Sequence, residues 1–405
     1  MVKRKVWDRC VRYLDRNEII LIVGARQVGK TTLLRELSSH LEGRGEKTYY
    51  FSLENPLLLE SLNKNPENIF TYIPKNRGRK YLFLDEVQYL ENPSQFLKYL
   101  YDTYQDTLKL VVSGSSAFYI DRSFTDSMAG RKRIIELFPF SFSEFLAAKR
   151  EPRLAEIIAT PNWLKSRKKR NLLVPEKEQL YAYLNEYLTY GGYPAVVLEE
   201  NEEEKRFTLR DLHESFLKKD MLESGISRQF EFYCLVKIIA NQTGSLFNAN
   251  EIANTLGISA ETVREYTYLL RKSFIVGELS PFHTNVRKEL TKMPKLYMLD
   301  SGFRNIVVND FRTVAERQDK GEILENRIYI SLRMQRTEPF YYWRTQDKKE
   351  IDFIMPDEYA LETKWSASQF NAKKYSTFTG AYPSIPLYPV VYLNDSCPDL
   401  LDFLS

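Results

Sequence analysis

Gly24-Ala25-Arg26-Gln27-Val28-Gly29-Lys30-Thr31 follows the apolar run Ile19-Ile20-Leu21-Ile22-Val23 and leads into Thr32-Leu33-Leu34-Arg35-Glu36-Leu37. Strand, glycine-bearing loop and helix, in that order, make a phosphate-binding loop. The glycines let backbone N–H groups close around phosphate oxygens at a helix N-terminus, and Lys30 reaches the β- and γ-phosphates. Thr31 offers its hydroxyl to Mg²⁺. Gly24, Ala25, Arg26, Gln27, Val28, Gly29, Lys30, Thr31 and Thr32 are therefore the expected ATP-binding residues.

Such a loop needs a carboxylate for its metal, and Tyr81-Leu82-Phe83-Leu84-Asp85-Glu86 ends a short apolar strand in two acids. It reads as a Walker B strand. Asp85 is expected to hold the Mg²⁺ shell, together with Thr31, and Glu86 to polarise the attacking water, a role that binding alone does not require.

Between these elements Lys47-Thr48-Tyr49-Tyr50-Phe51-Ser52 reads as another strand, so that an intervening strand separates the two halves of the site. This arrangement is similar to that of AAA-type and related ATPases. Further on, Leu108 to Ser113 reads as a core strand running into Gly114-Ser115-Ser116. Ser115 is either a sensor near the γ-phosphate or part of a turn that caps the next helix. Arg131, in Met128-Ala129-Gly130-Arg131-Lys132-Arg133, is a candidate transition-state arginine, in the same subunit or across an interface, or else belongs to a solvated basic turn.

The whole chain has 405 residues, enough for two to four domains, with 43% hydrophobic and 28% charged residues, as in ordinary soluble globular proteins. Fifty-eight basic against 54 acidic residues leave a net charge of +4, so any nucleic-acid surface must be a local patch. Cys10, Cys234 and Cys397 are far apart, as are His40, His213 and His283, which spell neither a disulfide framework nor a zinc site. The basic start at Lys3-Arg4-Lys5 is not followed by an apolar segment, and no stretch approaches a membrane span. A cytoplasmic protein with no membrane partner is expected.

Beyond Phe138-Pro139-Phe140-Ser141-Phe142 the pattern turns helical as far as about Gly244, and reads as a lid subdomain. Within it, Lys165-Ser166-Arg167-Lys168-Lys169-Arg170 reads as a surface loop or a phosphate-contacting patch, and Tyr190-Gly191-Gly192-Tyr193-Pro194 as a rigid corner. Asn250 to Tyr266 then spell a helix-turn-helix: Gly257 supplies the turn, Ser259 a cap, and Ile258, Val263, Tyr266 and Leu270 recur at helical spacing. Ile275 to Leu279 and Lys295 to Leu299 read as the strands of a wing. Arg264, Arg271 and Lys272 are available for contact with DNA, but Glu261 and Glu265 on the same helix oppose phosphate, so the helix is not an obvious DNA reader and a structural or partner-docking role is the other reading.

Near the carboxy terminus a helix bearing Glu322, Glu325, Tyr329 and Leu332 precedes Lys349-Glu350-Ile351-Asp352-Phe353-Ile354-Met355, a turn at Pro356-Asp357-Glu358, and Tyr359-Ala360-Leu361-Glu362-Thr363-Lys364. Strand residues two apart share a face, so Glu362 and Lys364 point together and a hairpin brings Asp352 beside them. Two carboxylates and an amine fit a metal-dependent phosphodiesterase. Asp352 and Glu362 are then the Mg²⁺ ligands, Glu325 completes the shell, and Lys364 orients the attacking water. A surface hairpin of alternating charge is the other reading.

Taken in order, Gly24 to Thr32, Leu84-Asp85-Glu86, Gly114-Ser115-Ser116, Ala129-Gly130-Arg131, the Gly191-Gly192-Tyr193-Pro194 corner and the Asp352, Glu362 and Lys364 set resemble an archaeal and bacterial family of AAA-type ATPases with a C-terminal restriction-endonuclease-like domain. The likeness spans nearly the full chain. It implies ATP hydrolysis coupled to a nucleic-acid or defence-related task. The glutamine-then-tyrosine pattern that follows the lysine in RecB-like nucleases is only loosely echoed by Gln369 and Tyr375.

The expected fold class is thus α/β multidomain: a P-loop AAA-type ATPase core (residues 1–146), a helical lid (147–244), a winged helix (245–300) and a restriction-endonuclease-like α/β domain (301–405). The expected function is ATP hydrolysis with ATP and Mg²⁺ as cofactors, coupled to a nuclease-like domain acting on DNA. The alternative is an ATP-driven regulatory switch, with a homo-oligomer or protein partner, whose nuclease-like and winged-helix domains only bind.

Overall fold

Strands β1 (Ile19–Val23), β2 (Lys47–Ser52), β3 (Lys80–Asp85), β4 (Leu108–Gly114) and β5 (Lys132–Glu136) pair in the order β2-β3-β4-β1-β5. Every pairing is parallel. In a parallel sheet covered on both faces the central strands read as unbroken apolar runs, and β1, β3 and β4 are buried at every residue. The strand that stands between β1 and β3 is β4, whereas the segment 47–52 takes the sheet edge as β2. The intervening strand expected from residues 47–52 is thus supplied by residues 108–114.

This computed structural model describes residues 2–74, 78–114, 128, 130–159, 172–223, 226–282, 293–392 and 400–403. The chain divides into two compact units, residues 1–139 with 272–274, and residues 140–271 with 275–405. In the first, helices α1 (Trp7–Leu14), α2 (Lys30–Gly43), α3 (Pro56–Lys64) and α4 (Pro93–Tyr104) accompany the sheet. Asn55 caps α3 through bonds from the Leu57 and Leu58 amides, and Pro56 opens it, the arrangement that a helix start favours.

The second unit begins with helices, among them Phe142–Ala148, Val174–Tyr190, Glu202–Glu223 and Gln229–Asn241. The corner at Gly191 is required by space as well as by backbone. Its φ is +77°, and a Cβ there would lie 2.2 Å from the Asp300 carboxylate. That carboxylate accepts bonds from the Gly192 and Phe303 amides, so the corner is where residues 190–192 and 300–303 interlock.

Helices Ala249–Leu256 and Ala260–Lys272 flank Gly257, which has φ +65°, and Ser259 Oγ accepts the Thr262 amide, as a capping residue should. They are followed by the antiparallel ribbon β6 (Val276–Leu279) and β7 (Lys295–Met298). The ribbon packs on the helix Lys320–Gln335: Tyr297 stacks on Tyr329 at 4.2 Å between ring centroids, and the Tyr329 hydroxyl donates to the Glu278 carbonyl. Gly277 leaves room for that hydroxyl, which a Cβ would meet at 2.3 Å.

A four-stranded sheet closes the unit in the order β11-β10-β9-β8, where β8 is Tyr341–Arg344, β9 Glu350–Met355, β10 Tyr359–Lys364 and β11 Leu387–Val391. Its first three strands run antiparallel and β11 is parallel to β10. Trp343, Ile351, Ile354, Ala360, Phe378 and Ile385 form a core against it. Among the described residues no helix is long and apolar enough to cross a membrane.

Candidate functional site

The loop after β1 is shaped by what surrounds it. A Cβ on Gly24 would lie 2.1 Å from the Leu137 carbonyl oxygen, so the chain passes there only as glycine. Gly29 has φ +96° and Gln27 φ +60°, left-handed turns that lead the loop into α2. Ala25 and Val28 are buried beneath the loop, Arg26 is half-buried, and Gln27 and Thr32 are exposed. Arg4 closes the underside: its guanidinium donates to the Val28 carbonyl at 2.7 Å and to the Phe138 carbonyl at 2.6 Å.

Lys30 is 4% exposed, and its ammonium donates to the carbonyls of Gly24 at 3.0 Å and Ala25 at 2.8 Å. Phosphate oxygens offer it charge-assisted bonds, which are stronger than bonds to neutral carbonyls. Because β3 lies between β2 and β4, Asp85 at its end receives donors from both neighbours and from α2. Tyr50 of β2 donates to Oδ2 at 2.7 Å, Thr31 of α2 to Oδ2 at 2.6 Å, and Ser113 of β4 to Oδ1. Burial, reinforced by the bond to Asp85, pushes the Tyr50 phenol above its ordinary range and keeps it a donor.

Glu86 has a left-handed backbone (φ +61°, ψ +50°), uncommon away from glycine and found where function requires a special turn. Its amide donates to Ser113 Oγ at 3.0 Å and its carboxylate accepts from Gln88. Ser115 lies outside the described residues. Arg131 is placed differently from the rest. Its carbonyl accepts the Ile19 amide, at the amino end of β1, while the loop leaves the carboxyl end. The four steps of β1 at ~3.3 Å each separate those ends by about 13 Å. Its guanidinium lies against Asp102 of α4 at 2.7 Å, so Arg131 does not stand beside the phosphate site of its own chain.

In the carboxy-terminal sheet, continuing the β9–β10 register by one residue sets Glu362 opposite Asp352. Both are nearly buried, 6% and 8% exposed. Asp352 Oδ2 accepts from the Thr363 amide at 2.7 Å and from the Thr363 hydroxyl. Glu362 Oε1 accepts from Lys364 at 2.5 Å and from the Tyr375 hydroxyl at 2.8 Å, while its Oε2 is buried with no hydrogen-bond partner. Burial, then the Asp352 charge, raise Glu362 to about 8. For Lys364 burial works downward, but the adjoining Glu362 carboxylate outweighs it and raises the amine.

Glu325, on the helix Lys320–Gln335, stands in a different grip. Its Oε1 accepts from Lys295 at 2.9 Å and from the Tyr297 hydroxyl at 2.6 Å. Burial is the main reason that it is raised to about 7. Lys295, 2% exposed, also reaches Glu350 at 2.5 Å, and Glu350 in turn pairs with Arg344 at 2.5 Å. Among the described residues no three His, Cys, Asp or Glu side chains form a group that could hold a metal ion. A pocket of about 430 Å³ opens beside Glu350 and Glu362, with Trp343, Tyr375 and Phe378 on its wall and Lys349, Lys373 and Lys374 at its rim.

Residues 16–146 match the family model described as an AAA domain. The chain carries an AAA domain. Residues 181–314 and 320–396 match two domains of unknown function, DUF8612 and DUF4143. An uncharacterized protein of Methanocaldococcus jannaschii, MJ1544, is 26% identical over 364 residues, 87% of this chain and 76% of that protein. One from Haemophilus influenzae is 24% identical over 366 residues, 87% of this chain and 84% of its own length. Among solved structures, a Thermotoga maritima RuvB is similar at a TM-score of 0.34 and 18% identity, covering 68% of this chain and 89% of that one. A replication initiator DnaA bound to AMPPCP and single-stranded DNA is similar at 0.33 and 17%, covering 66% and 86%.

Several contributors to the two clusters escaped the sequence reading. In the first unit these are Arg4, Tyr50 and Ser113; in the second unit they are Lys295, Tyr297, Glu350 and Thr363. Tyr375 had one sequence signal, the loose echo of a tyrosine after the lysine, and its hydroxyl does reach Glu362. Gln369 instead accepts the Ser366 amide and closes a local turn.

Proposed function

We propose that the chain is an ATP-hydrolysing protein whose AAA domain governs a Mg²⁺-dependent, nuclease-like carboxy-terminal domain acting on DNA. The observation that carries the ATPase reading is the Thr31–Asp85 hydrogen bond at 2.6 Å beneath a buried Lys30, a hydroxyl and a carboxylate already paired where Mg²⁺ requires both. The donor set fits a triphosphate with its metal. Mg²⁺, when bound, would neutralise charge on the phosphates. Lys30 would bind the β- and γ-oxygens, the loop amides would orient them, and Glu86 would take a proton from the attacking water. Arg131 could serve such a site only in a second subunit, since in its own chain it lies at the far end of the sheet.

The second site also fits a cation. Glu362 Oε2 is a buried oxygen with no partner, which costs free energy unless a cation or donor meets it, and Asp352 is held beside it by Thr363. A helix followed by three antiparallel strands, a helix and a parallel strand supports the restriction-endonuclease-like reading of residues 301–405. The lysine rim of the adjoining pocket suits a phosphate backbone. The division into residues 1–146, 147–244, 245–300 and 301–405, with the helix pair and ribbon as a winged helix, accords with this reading. Labelled DNA with ATP and Mg²⁺ or Mn²⁺ tests it: cleavage is expected, and Asp352→Ala and Lys364→Ala should each abolish it. Cleavage that survives both substitutions refutes the site.

A second reading, an ATP-driven switch whose carboxy-terminal domain binds without cutting, is favoured by the lysines that already neutralise the acids there. ATP-dependent assembly without cleavage of any nucleic acid would support it.

A further inference from the structure

We propose that Lys295 is a built-in cation of the carboxy-terminal acid site. On this proposal its ammonium does what a second divalent ion would do for Glu325 and Glu350, so the site takes one divalent ion, held by Asp352 and Glu362, and Glu325 is not a ligand. The proposal rests on the cation-site reading above and specifies how that site is filled.

The argument begins with the ribbon. Lys295 and Tyr297 are two apart on β7 and so share a face, and both donate to the same oxygen of Glu325. Tyr297 is fixed by its stack on Tyr329, which Gly277 makes room for. Beyond the ribbon, the Phe282 amide donates to the Tyr342 carbonyl at 2.6 Å and the Tyr342 amide to the Ser280 carbonyl at 3.1 Å, which ties residues 280–282 to β8. The Lys295 ammonium therefore comes to Glu325 and Glu350 from a fixed direction, and lies 5.6 Å from the centre of the Tyr342 ring.

A buried ammonium needs acids about it to stay charged, and here it has two in contact. The carboxylate oxygens then set the stoichiometry. Glu325 Oε1 already has two donors, whereas Glu362 Oε2 has none.

Binding of Mn²⁺ without nucleotide, followed by electron paramagnetic resonance in an Asp85→Asn background that removes the AAA-domain metal site, tests the assignment. One ion per chain is expected. Glu325→Gln should keep that ion with affinity within about threefold, while Asp352→Asn and Glu362→Gln should weaken it by about tenfold or more. A folded Lys295→Gln, verified by its melting transition, should admit a second ion. Loss of the ion on Glu325→Gln comparable to that on Asp352→Asn overturns the proposal, as does a folded Lys295→Gln that still binds one ion. No ion at all in the parent protein overturns the cation-site reading beneath it.

Discussion

In the AAA domain Lys30 donates to the backbone carbonyls of Gly24 and Ala25, whereas in the carboxy-terminal domain Lys364 and Lys295 donate to the carboxylates of Glu362, Glu325 and Glu350. Carbonyls carry only partial charge, so an arriving phosphate wins the lysine from them. Carboxylates hold an ammonium far more firmly, and a divalent ion must find the oxygen that the lysines leave over. On the proposed reading one site is arranged to receive an anion and the other to receive a cation, with a lysine in each.

The largest effect that sharpens this contrast is on Lys30. Lys30→Ala removes a cation aimed at charge that develops during transfer, and ATP turnover measured by phosphate release should fall by about a thousandfold. Next comes Arg4, which joins the loop to the segment after β5 through two carbonyls. Arg4→Met leaves both without that donor and should cost about 3 kcal/mol in denaturant unfolding, with a raised KM for ATP.

A third buried lysine extends the comparison. Lys109 is fully buried and donates to the Arg16 and Glu18 carbonyls, and burial, then the nearby Arg79, bring it down to about 7. For Lys295, nearly as buried, burial also works downward, but the Glu325, Asp352 and Glu350 carboxylates outweigh it and raise the amine instead. Between about pH 7 and the ordinary lysine range the unfolded chain holds a proton on Lys109 that the folded chain has released, so folding stability rises with pH in that window. Relative to Lys109→Met, the parent protein should gain about 1 kcal/mol or more from pH 6 to pH 10, measured by urea unfolding. No change in the difference would mean that the amine is not depressed.

The sequence yields the parts of the AAA domain whose residues are contiguous. Gly24 to Thr31 and Leu82 to Glu86 each carry their own strand and loop, so their local pattern reports their place. Strand order is not local, and nothing in residues 47–52 says that they form an edge rather than the strand between β1 and β3. The basic run around Arg131 leaves open whether it serves its own subunit, another subunit or a solvated turn, and only the bond from the Ile19 amide to its carbonyl puts it at the amino end of β1. In the carboxy-terminal domain the Asp352, Glu362 and Lys364 hairpin was legible from period-two alternation. Lys295 was not: it lies 30 residues before Glu325, and only the docking of the ribbon on that helix brings them together.

The most direct measurement runs Lys30→Ala and Asp352→Asn side by side through two assays, ATP turnover and Mn²⁺ binding without nucleotide. Lys30→Ala should lose turnover and keep the carboxy-terminal ion, and Asp352→Asn should lose that ion and keep turnover within about twofold. Turnover that survives Lys30→Ala would contradict the account.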